Sequence, residues 1–451
     1  MKKLFGTDGI RAVAGQYPLD YPSIHGLAAA LVGLLREERL APKILIGRDT
    51  RESGSWMEKA LVHGIRGSGG RAVSAGVIPT SSISYLTQKH AFSAGIVISA
   101  SHNPYQDNGI KIFSSQGHKI SDAWESRLEK AVLRGNSVAA KKIGVRSDAR
   151  YREDYKKFLK GQLAHVRIPK GLQVVLDCSN GASSAVAPEI MKELGFAVIA
   201  TNHTPNGRNI NAGCGSLHPR DLAKTVVEVE ADIGIAYDGD ADRAIWVDEK
   251  GRILNGDHTL FVLARFMKQN RRLKSDAVVT TSMSNIGLEI ALKKMGLTLV
   301  RTKVGDKYVL EKMMEIRANL GGEQSGHTIF LDDCPTGDGI LTSLKMLEIL
   351  ATKKLPLSKL VKGLVEFPQV LLNVPVARKI DFKEIPEIDR SIRKVQRLLK
   401  DHGRLEVRYS GTEPLARVMV EGEDLHLIQK CAHGIADAIA KNLGTSGRRL
   451  L

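Results

Sequence analysis

The chain has 451 residues, of which 43% are hydrophobic and 25% are charged, a composition that is typical of globular proteins and excludes a disordered chain. At about 150 residues per domain, the length predicts about three domains, and two or four are also compatible with it. The net charge of +17 is high enough to suggest an anionic partner, so its distribution along the chain matters.

Short apolar, β-branched runs alternate with helical patterns, which predicts α/β layers. The predicted strands, each leading into Gly, Asp, Ser or Asn, are residues 43–47, 95–99, 173–177, 232–237 and 277–281. The predicted helices between them are residues 23–40, 56–67, 187–194, 259–270 and 287–295. Strands of this kind are typical of buried sheets with functional loops at their C-terminal ends.

The pattern changes at three places, and the predicted domains are residues 1–155, 156–252, 253–367 and 368–451. The last of these is predicted to be an α+β unit. Its final helix, residues 425–443, places one apolar face toward a core and ends at a C-cap glycine, Gly444. The predicted apolar face consists of Leu425, Ile428, Cys431, Ile435 and Ile439.

Residues 123–170 carry thirteen basic and five acidic residues, nearly half of the excess positive charge. This segment lacks aromatic interleaving suited to stacking bases, which favours a solvated helix and linker over a nucleic-acid interface. No nucleic-acid partner is therefore expected, although the basic charge elsewhere could attract small anionic substrates.

The N-terminus shows no signal-peptide pattern, and the longest apolar run, residues 27–35, is too short to span a bilayer. No membrane partner is expected. The four cysteines are scattered without CxxC spacing, which argues against a zinc site or a disulfide framework and predicts a reducing cytoplasm.

The first motif with chemical meaning is Ser99-Ala-Ser101-His102-Asn-Pro, directly after a predicted strand. A hydroxyl at a strand end beside an imidazole suits covalent catalysis. Lys111 follows closely and could stabilise phosphate charge or move a proton. An ordinary Ser/Asn/Pro turn remains the alternative for this motif alone.

The second motif is Asp238-Gly-Asp240-Ala-Asp242-Arg, again directly after a predicted buried strand. Three carboxylates at i, i+2 and i+4 can converge on one hard cation, and without a cation they would repel one another. We therefore favour a magnesium site over a solvated acidic turn.

Two further motifs indicate ligand contacts. Gly322-Glu323-Gln-Ser325-Gly-His327 combines a carboxylate, a hydroxyl and an imidazole, which suits sugar hydroxyls and a base, or else contains only a satisfied loop histidine. Arg408-Tyr-Ser-Gly-Thr-Glu-Pro, followed by Arg417, suits phosphate, or else forms a hairpin turn with an exposed arginine. Residues 5–11 and 47–51 contain glycines and charged residues, but neither segment alone indicates a particular function.

The set and order of these motifs resemble the α-D-phosphohexomutase superfamily over essentially the whole chain. The motifs begin at Phe5 (Phe-Gly-Thr-Asp-Gly-Ile-Arg), Ser99, Asp238, Gly322 and Arg408. Within the superfamily, the chain is most similar to bacterial members that act on glucosamine phosphate. Gln324, the segment Ile98-Ser-Ala-Ser-His-Asn-Pro and the segment Asn209-Ile-Asn-Ala-Gly-Cys-Gly-Ser carry that closer similarity.

The resemblance implies an α/β protein with three similar α/β domains and a smaller C-terminal α+β domain around a central cleft. It implies that Ser101 is a phosphoserine, and that its phosphate joins Asp238, Asp240 and Asp242 in binding one Mg²⁺ per subunit. The sugar and phosphate contacts that it implies are Lys303, Gly305, Asp306, Glu323, Ser325, Arg408, Ser410, Gly411, Thr412 and Arg417. Its implied phosphate-contact or proton-transfer residues are Arg11, His102, Lys111 and His327.

The implied reaction moves phosphate from Ser101 to O1 of glucosamine 6-phosphate and returns the 6-phosphate to Ser101, which leaves glucosamine 1-phosphate for UDP-N-acetylglucosamine synthesis. Glucose or glucosamine 1,6-bisphosphate is the implied activator or intermediate. The expected partner is thus a small sugar phosphate, and a homodimer is a further expectation.

Two residues depart from the family pattern. Ala241 stands where the family usually has Gly, and it would be strained if this position needs a positive φ. Tyr409 stands where Lys or Pro is more usual, which puts the local shape of the phosphate site in doubt.

Three other functions stay open at this point. The same chemistry could act on glucose or mannose phosphates. A strand followed by Asp238-Gly-Asp also fits an aspartyl-phosphate phosphatase, with Asp238 as nucleophile. A basic nucleic-acid binder is the third alternative.

Overall fold

The computed structural model describes residues 4–6, 8–133, 144–410 and 414–444. The chain forms two compact units. Residues up to Met283 together with Met295–Lys362 form the first, and Ser284–Lys294 with the residues from Gly363 onward form the second. Within the described residues, no helix is long and apolar enough to cross a membrane.

The first sheet of unit one has the strand order β1-β5-β4-β2-β3. Its strands and helices are β1 (Ile10–Val13), α1 (Tyr21–Glu37), β2 (Lys43–Arg48), α2 (Gly54–Gly67), β3 (Arg71–Val77), α3 (Thr80–Lys89), β4 (Ala94–Ile98), β5 (Asp107–Ser114) and α4 (Asp122–Leu133). β2 is parallel to β3 and β4, whereas β5 is antiparallel to both β4 and β1.

Helices cover this first sheet because its central strands are apolar on both faces. Ile44, Ile46 and Ile96 share a core with α1, α2 and α4. Gly47 and Gly95 alternate with those residues, and their missing side chains make room for α3, which packs on β2 and β4. The central strands are therefore covered by helices on both faces of the sheet.

The second sheet has the order β10-β9-β8-β6-β7. Its elements are α5 (Arg150–Gly161), β6 (Gln173–Asp177), α6 (Ala187–Glu193), β7 (Ala197–Thr201), α7 (Arg220–Glu228), β8 (Ile233–Tyr237), β9 (Ala244–Asp248) and β10 (Ile253–Leu254). β6 is parallel to β7 and β8, and β9 is antiparallel to β8 and β10.

The third sheet has the order β12-β11-β13-β14. Its region contains α8 (Gly256–Gln269), β11 (Ala277–Thr281), α9 (Ile286–Lys294), β12 (Thr298–Thr302), α10 (Asp306–Ile316), β13 (Leu320–Gly322), β14 (Thr328–Phe330), α11 (Gly339–Lys353) and α12 (Leu357–Leu360). α9 belongs to unit two. β11 is parallel to β12 and β13, and β14 is antiparallel to β13.

Unit two contains a three-stranded antiparallel sheet in the order β15-β17-β16. Its elements, besides α9, are β15 (Gln369–Pro375), α13 (Pro386–Leu399), β16 (Gly403–Tyr409), β17 (Leu415–Gly422) and α14 (Leu425–Leu443). α13 and α14 bury one face of the sheet, where Val374, Val418 and Val420 lie in the core. Arg404, Arg408 and Arg417 alternate with core residues and so lie on the other face.

The predicted strands and helices are present, with ends that differ by a few residues. α14 has the predicted bounds and a C-cap at Gly444, but Leu425 is exposed because it is the first residue of the helix.

The prediction of a solvated helix in the basic segment is partly wrong, since α5 buries Tyr151, Tyr155 and Leu159. The predicted boundary after residue 155 falls within α5. All four cysteines are buried free thiols.

Candidate active site

Three turns occupy the same topological position in the three sheets of unit one. Each connects the third parallel strand to its antiparallel neighbour: β4 to β5, β8 to β9 and β13 to β14. The first turn carries Ser101, the second carries the three aspartates, and the third carries Glu323 and His327. The strand order thus places the three sequence motifs at equivalent strand ends.

Ser101 is buried and points at a carboxylate. Its Oγ donates a hydrogen bond of 2.6 Å to Oδ2 of Asp238. Its backbone has φ +53°, a left-handed conformation that is uncommon for a residue other than glycine. Its N–H donates to Ser99 Oγ at 2.9 Å, and Ser99 Oγ donates to Asp49 Oδ2 at 2.6 Å. The turn is therefore fixed in the conformation that directs Oγ toward Asp238.

Arg51 supports the Ser101 turn. Its side chain and that of Asp49 are fully buried and form an ion pair at 2.9 Å. Its guanidinium donates to the carbonyl oxygens of Ser101 at 3.0 Å and Asn103 at 2.9 Å, and also to those of Pro104 and Asp107. These carbonyls belong to the turn between β4 and β5 and to the first residue of β5, all outside the β4–β5 ladder. Four N–H donors of one arginine thus replace a strand as the hydrogen-bond partner of these carbonyls, and the fifth, Nε–H, donates to Asp49.

The second turn brings Asp238, Asp240 and Asp242 together, with one oxygen of each within 4.8 Å of the others. All three are buried. Burial and the other two carboxylates raise the pKa of Asp238 well above its usual range. Lys111 Nζ is a nearby cation, 3.0 Å from Asp240 Oδ2 and 3.1 Å from Asp242 Oδ2, and Arg243 Nε is 3.8 Å from Asp242 Oδ1.

The donor set of this turn fits a hard divalent cation. Asp240 Oδ1 and Asp242 Oδ1 are buried and accept no hydrogen bond, although buried carboxylate oxygens normally have a partner. Carboxylate oxygens are the ligands that Mg²⁺ prefers in proteins.

Arg11 and Lys111 belong to a network of charges around Asp8. Lys111 Nζ is 3.2 Å from Asp8 Oδ2, and Arg11 and Lys119 also contact Asp8. Lys119 Nζ is 2.7 Å from a carboxylate oxygen of Asp306 as well. Asp306, expected as a sugar contact, is thus tied into this network, which links the first and third sheets.

His102 is half-buried beside Ser101. Its Nδ1 lies 3.3 Å from Ser101 Oγ and 3.1 Å from Nη1 of Arg243. Burial and the Arg243 guanidinium lower the pKa of His102 to about 4. The imidazole is therefore neutral near pH 7, and its Nδ1 accepts from Arg243.

His327 is buried and oriented by a backbone group, since Gly337 N–H donates to its Nε2 at 3.0 Å. Nδ1 consequently carries the proton in the neutral ring, 3.7 Å from Asp242 Oδ1. Burial opposes protonation of His327, but the Asp242 and Asp306 carboxylates outweigh it and raise the pKa.

The third turn presents Glu323 and Ser325 together. Glu323 Oε1 accepts from Gly305 N–H at 3.2 Å, and Ser325 Oγ donates to Glu323 Oε2 at 3.4 Å. Gly305 has φ +132° and caps α10, so a side chain would be strained there. The Lys303 side chain is exposed. Of the predicted sugar contacts, Gly305, Glu323 and Ser325 are thus hydrogen-bonded to one another, whereas Asp306 is paired with Lys119.

In unit two, Arg408 lies directly opposite Arg417 in the β16–β17 register, and Asn373 of β15 lies opposite Arg417 on its other side. Arg408 Nε is 3.1 Å from Glu406 Oε1. Ser410 is buried, and its carbonyl oxygen accepts from Lys379 Nζ at 2.6 Å. Gly411 and Thr412, which the sequence also predicts here, lie outside the described residues.

Comparison with known proteins identifies the family. The three alpha/beta/alpha domains of phosphoglucomutase/phosphomannomutase match residues 2–139, 150–251 and 255–367, and the C-terminal domain matches residues 371–438. The chain belongs to the phosphoglucomutase/phosphomannomutase family. This confirms the predicted phosphohexomutase fold, with three α/β domains and a C-terminal domain.

Relatives in the family match over nearly the full length. The phosphoglucosamine mutase of Koribacter versatilis is 47% identical and that of Geotalea uraniireducens 46% identical, with at least 98% of each chain covered. A phosphoglucomutase/phosphomannomutase family protein from Burkholderia thailandensis has the same fold, with 23% identity, a TM-score of 0.81 and 99% of both chains covered. An N-acetylphosphoglucosamine mutase from Aspergillus fumigatus, solved with GlcNAc-6P and magnesium, has 19% identity, a TM-score of 0.66 and coverage of 97% and 95%.

The two departures from the family pattern have different consequences in the structure. Ala241 has φ +58°, so this position does need the left-handed conformation and the alanine is strained there. Tyr409 lies on the opposite face of β16 from Arg408, where its hydroxyl donates to Ile380 O at 2.6 Å and its ring stacks on Phe382. Tyr409 therefore leaves the Arg408 face unchanged.

Several residues of the site were missed by sequence reasoning. Asp49 and Arg51 lay in a segment judged unspecific, and Asn211 was noted only as a mark of similarity. Asn211 Nδ2 donates to Ser101 O at 2.8 Å and Asn103 O at 2.9 Å. The available signal was position, because Asp49 directly follows β2, whose C-terminal end is beside that of β4.

Proposed function

We propose that the chain interconverts glucosamine 6-phosphate and glucosamine 1-phosphate through a phosphoserine at Ser101 and a 1,6-bisphosphate intermediate. The observation that carries this proposal is the position of Ser101 Oγ, buried against Asp238 in a carboxylate cluster that has further oxygens without partners. The full-length similarity to phosphoglucosamine mutases supports the choice of sugar.

Asp238, Asp240 and Asp242, with the phosphate on Ser101, would hold one magnesium ion. When bound, the ion would neutralise negative charge on the transferring phosphoryl group, which is the main requirement of phosphoryl transfer. Lys111 supplies positive charge at the same place, since its ammonium contacts Asp240 and Asp242.

In the proposed transfer, the bond between phosphorus and Ser101 Oγ breaks as a bond from O1 of the sugar to phosphorus forms. The O1 hydroxyl loses a proton and Ser101 Oγ gains one. The proton released at O1 balances the one taken up at Oγ, and His102, whose ring lies beside Oγ, is proposed to contact the phosphate or take part in this proton transfer. The reverse transfer then takes phosphate from O6 and regenerates the phosphoserine. Arg11 and His327 are proposed to contact the phosphate or take part in proton transfer.

The sugar hydroxyls are proposed to contact Glu323 and Ser325, with Lys303, Gly305 and Asp306 orienting the ring. The phosphate that is not reacting is proposed to bind Arg408 and Arg417, which lie opposite each other on one face of the sheet. Bidentate arginines suit phosphate oxygens. Ser410, Gly411 and Thr412 complete this proposed site.

We further propose glucose or glucosamine 1,6-bisphosphate as the activator, a homodimer as the assembly and the cytoplasm as the compartment. The choice of activator follows from the proposed bisphosphate intermediate. An A. fumigatus relative with serine replaced by alanine was solved with glucose 1,6-bisphosphate, which is consistent with that choice.

The test compares kcat/KM for glucosamine 6-phosphate, glucose 1-phosphate and mannose 1-phosphate in coupled assays with glucose 1,6-bisphosphate as activator. Glucosamine 6-phosphate should have the highest value. Ser101→Ala should abolish turnover and keep the fold, because it removes the phosphate carrier and little volume. The matched control is Ser84→Ala, a buried serine of α3 that donates to Gly117 O and should retain turnover.

Other outcomes would each favour a different function. A higher kcat/KM for glucose or mannose phosphate would make the chain a mutase of those sugars. Mass spectrometry that locates phosphate on Asp238 instead of Ser101 would favour the aspartyl-phosphate phosphatase. Steep salt-dependent binding of DNA or RNA without mutase activity would favour the nucleic-acid binder.

A further inference from the structure

Unit one contains a polar cavity of about 340 Å³ that none of the proposed active-site residues lines. It lies beside the C-terminal end of β3, between the first turns of α2 and the segment that leads into α5. We call it the α2–α5 pocket. The charged and hydroxyl side chains that line it include Arg48, Lys59, Arg152, Glu58, Ser55 and Ser147.

The charges that line the α2–α5 pocket do not balance. Arg48, Lys59 and Arg152 are cationic, and Glu58 is the one acid among the lining residues. Glu58 is already satisfied, because it accepts from Arg48 Nε at 3.3 Å and from Ser74 Oγ. Across the described parts of the chain, no carboxylate lies within 4 Å of the Lys59 or Arg152 nitrogens. Lys59 and Arg152 therefore line one cavity without an ion-pair partner among the residues that the structure describes.

The remaining polar groups of the pocket also favour an anion. Ser55 and Ser147 line it with hydroxyl groups that can donate hydrogen bonds. Ser55 lies in the first turn of α2, and Ala149, also in the lining, is the N-cap of α5 and makes no side-chain capping bond. The positive end of the α2 dipole thus adds to the charge of Lys59 and Arg152, whereas Asp148 Oδ1 accepts from Arg150 N–H at 3.0 Å and offsets the positive end of α5.

We propose that the α2–α5 pocket binds a small phosphate-bearing metabolite at a site separate from the active site. Two cations without an ion-pair partner in the described part of the chain, hydroxyl donors and little apolar lining suit phosphate oxygens. The volume lies within the range of small-molecule sites, about 300–1,000 Å³, and suits a compound the size of a sugar phosphate. Free phosphate presents the same chemistry, and the experiment separates the two.

The test is hydrogen–deuterium exchange of the full-length, Mg²⁺-loaded protein, read at residues 144–152 and in the first turns of α2. The probes are inorganic phosphate and ribose 5-phosphate, with chloride at matched ionic strength as the reference. The test variant is Lys59→Ala with Arg152→Ala, and neither change breaks an ion pair. The matched control is Arg66→Ala with Lys157→Ala, which removes the same number of charges from the same two helices.

Ribose 5-phosphate should slow exchange in both segments in a saturable way, in the wild type and in the control variant. The test variant should need at least about tenfold more ligand, the loss expected from removing one to two charge-assisted contacts, while mutase turnover stays unchanged. Equal protection by inorganic phosphate would assign the site to free phosphate and overturn the metabolite. Protection that is absent, that chloride reproduces, or that persists in the test variant would overturn the site itself.

Discussion

Arg51 offers a direct test of how the Ser101 turn is held. Arg51→Met removes the partner of Asp49, whose side chain is fully buried, and leaves the carbonyl oxygens of the turn without their donor. Breaking a buried ion pair from one side costs about 3–5 kcal/mol. We therefore expect a loss of this size in the free energy of unfolding of unit one, measured by urea denaturation followed by circular dichroism.

Turnover of Arg51→Met should fall as well. Without the arginine, the carbonyl oxygens of Ser101 and Asn103 lose their donor, and Ser101 Oγ is no longer directed toward Asp238. Arg51→Lys keeps the charge but lacks the planar fork, so it should recover stability better than turnover. The control is Arg127→Met, which breaks exposed contacts to Glu37 and Glu38 and should change both measurements far less.

The double variant Asp49→Asn with Arg51→Met separates the two effects. It leaves no unpaired buried charge, so it should regain part of the stability that Arg51→Met loses. Turnover should remain low, because the turn carbonyls still lack a donor. Wild-type turnover in Arg51→Met, or full recovery of turnover in the double variant, would refute the idea that Arg51 positions Ser101.

Three further predictions test other parts of the site. Asp240→Asn should weaken Mg²⁺ binding in calorimetric titration, because it removes one carboxylate of the cluster, and unchanged affinity would mean that the turn is only structural. Gly256→Ala places a Cβ 2.0 Å from Glu323 O, so it should displace the third turn, the proposed sugar contact, and lower kcat/KM by about 10- to 100-fold, with Ser101 still phosphorylated in mass spectra. Tyr409→Phe should cost about 1 kcal/mol of unfolding free energy through the lost hydrogen bond to Ile380 and leave KM unchanged, whereas a raised KM would place Tyr409 in the substrate site.

The sequence was informative where a local pattern determines structure. Apolar β-branched runs followed by polar turns predicted β2, β4, β6, β8 and β11, because such residues suit buried strands and local chemistry fixes where they end. The carboxylate spacing of Asp238, Asp240 and Asp242 likewise predicted their convergence, since a short turn permits few other arrangements. Ala241 has the positive φ that the family pattern suggested, because it lies within the same short turn.

What the sequence could not predict depends on pairs that are distant along the chain. Lys119 contacts Asp306, and Asp8 contacts both Lys111 and Lys119, although nothing near any of these residues indicates its partner. Arg51 resembles an ordinary charged loop residue until the fold buries it. Burial and long-range pairing decide the charge state of such groups, and both are properties of the tertiary structure.

The repeated topology explains how this fold can bring together the proposed phosphoryl-transfer site from three separate sheets. In each sheet the chain reverses direction after the third parallel strand, and the reversing turn leaves the hydrogen-bonded ladder. The backbone and side chains of a turn at this point lie outside the strand ladder, so its residues can change without disturbing the sheet. One turn supplies Ser101, the next supplies the carboxylates, and the third supplies Glu323 and His327. The hydrogen bond from Ser101 to Asp238 and the approach of His327 to Asp242 join these turns across the sheets. The proposed chemistry is therefore divided among turns that each need only a few residues, and the ion pair of Lys111 with Asp240 joins the first sheet to the turn of the second.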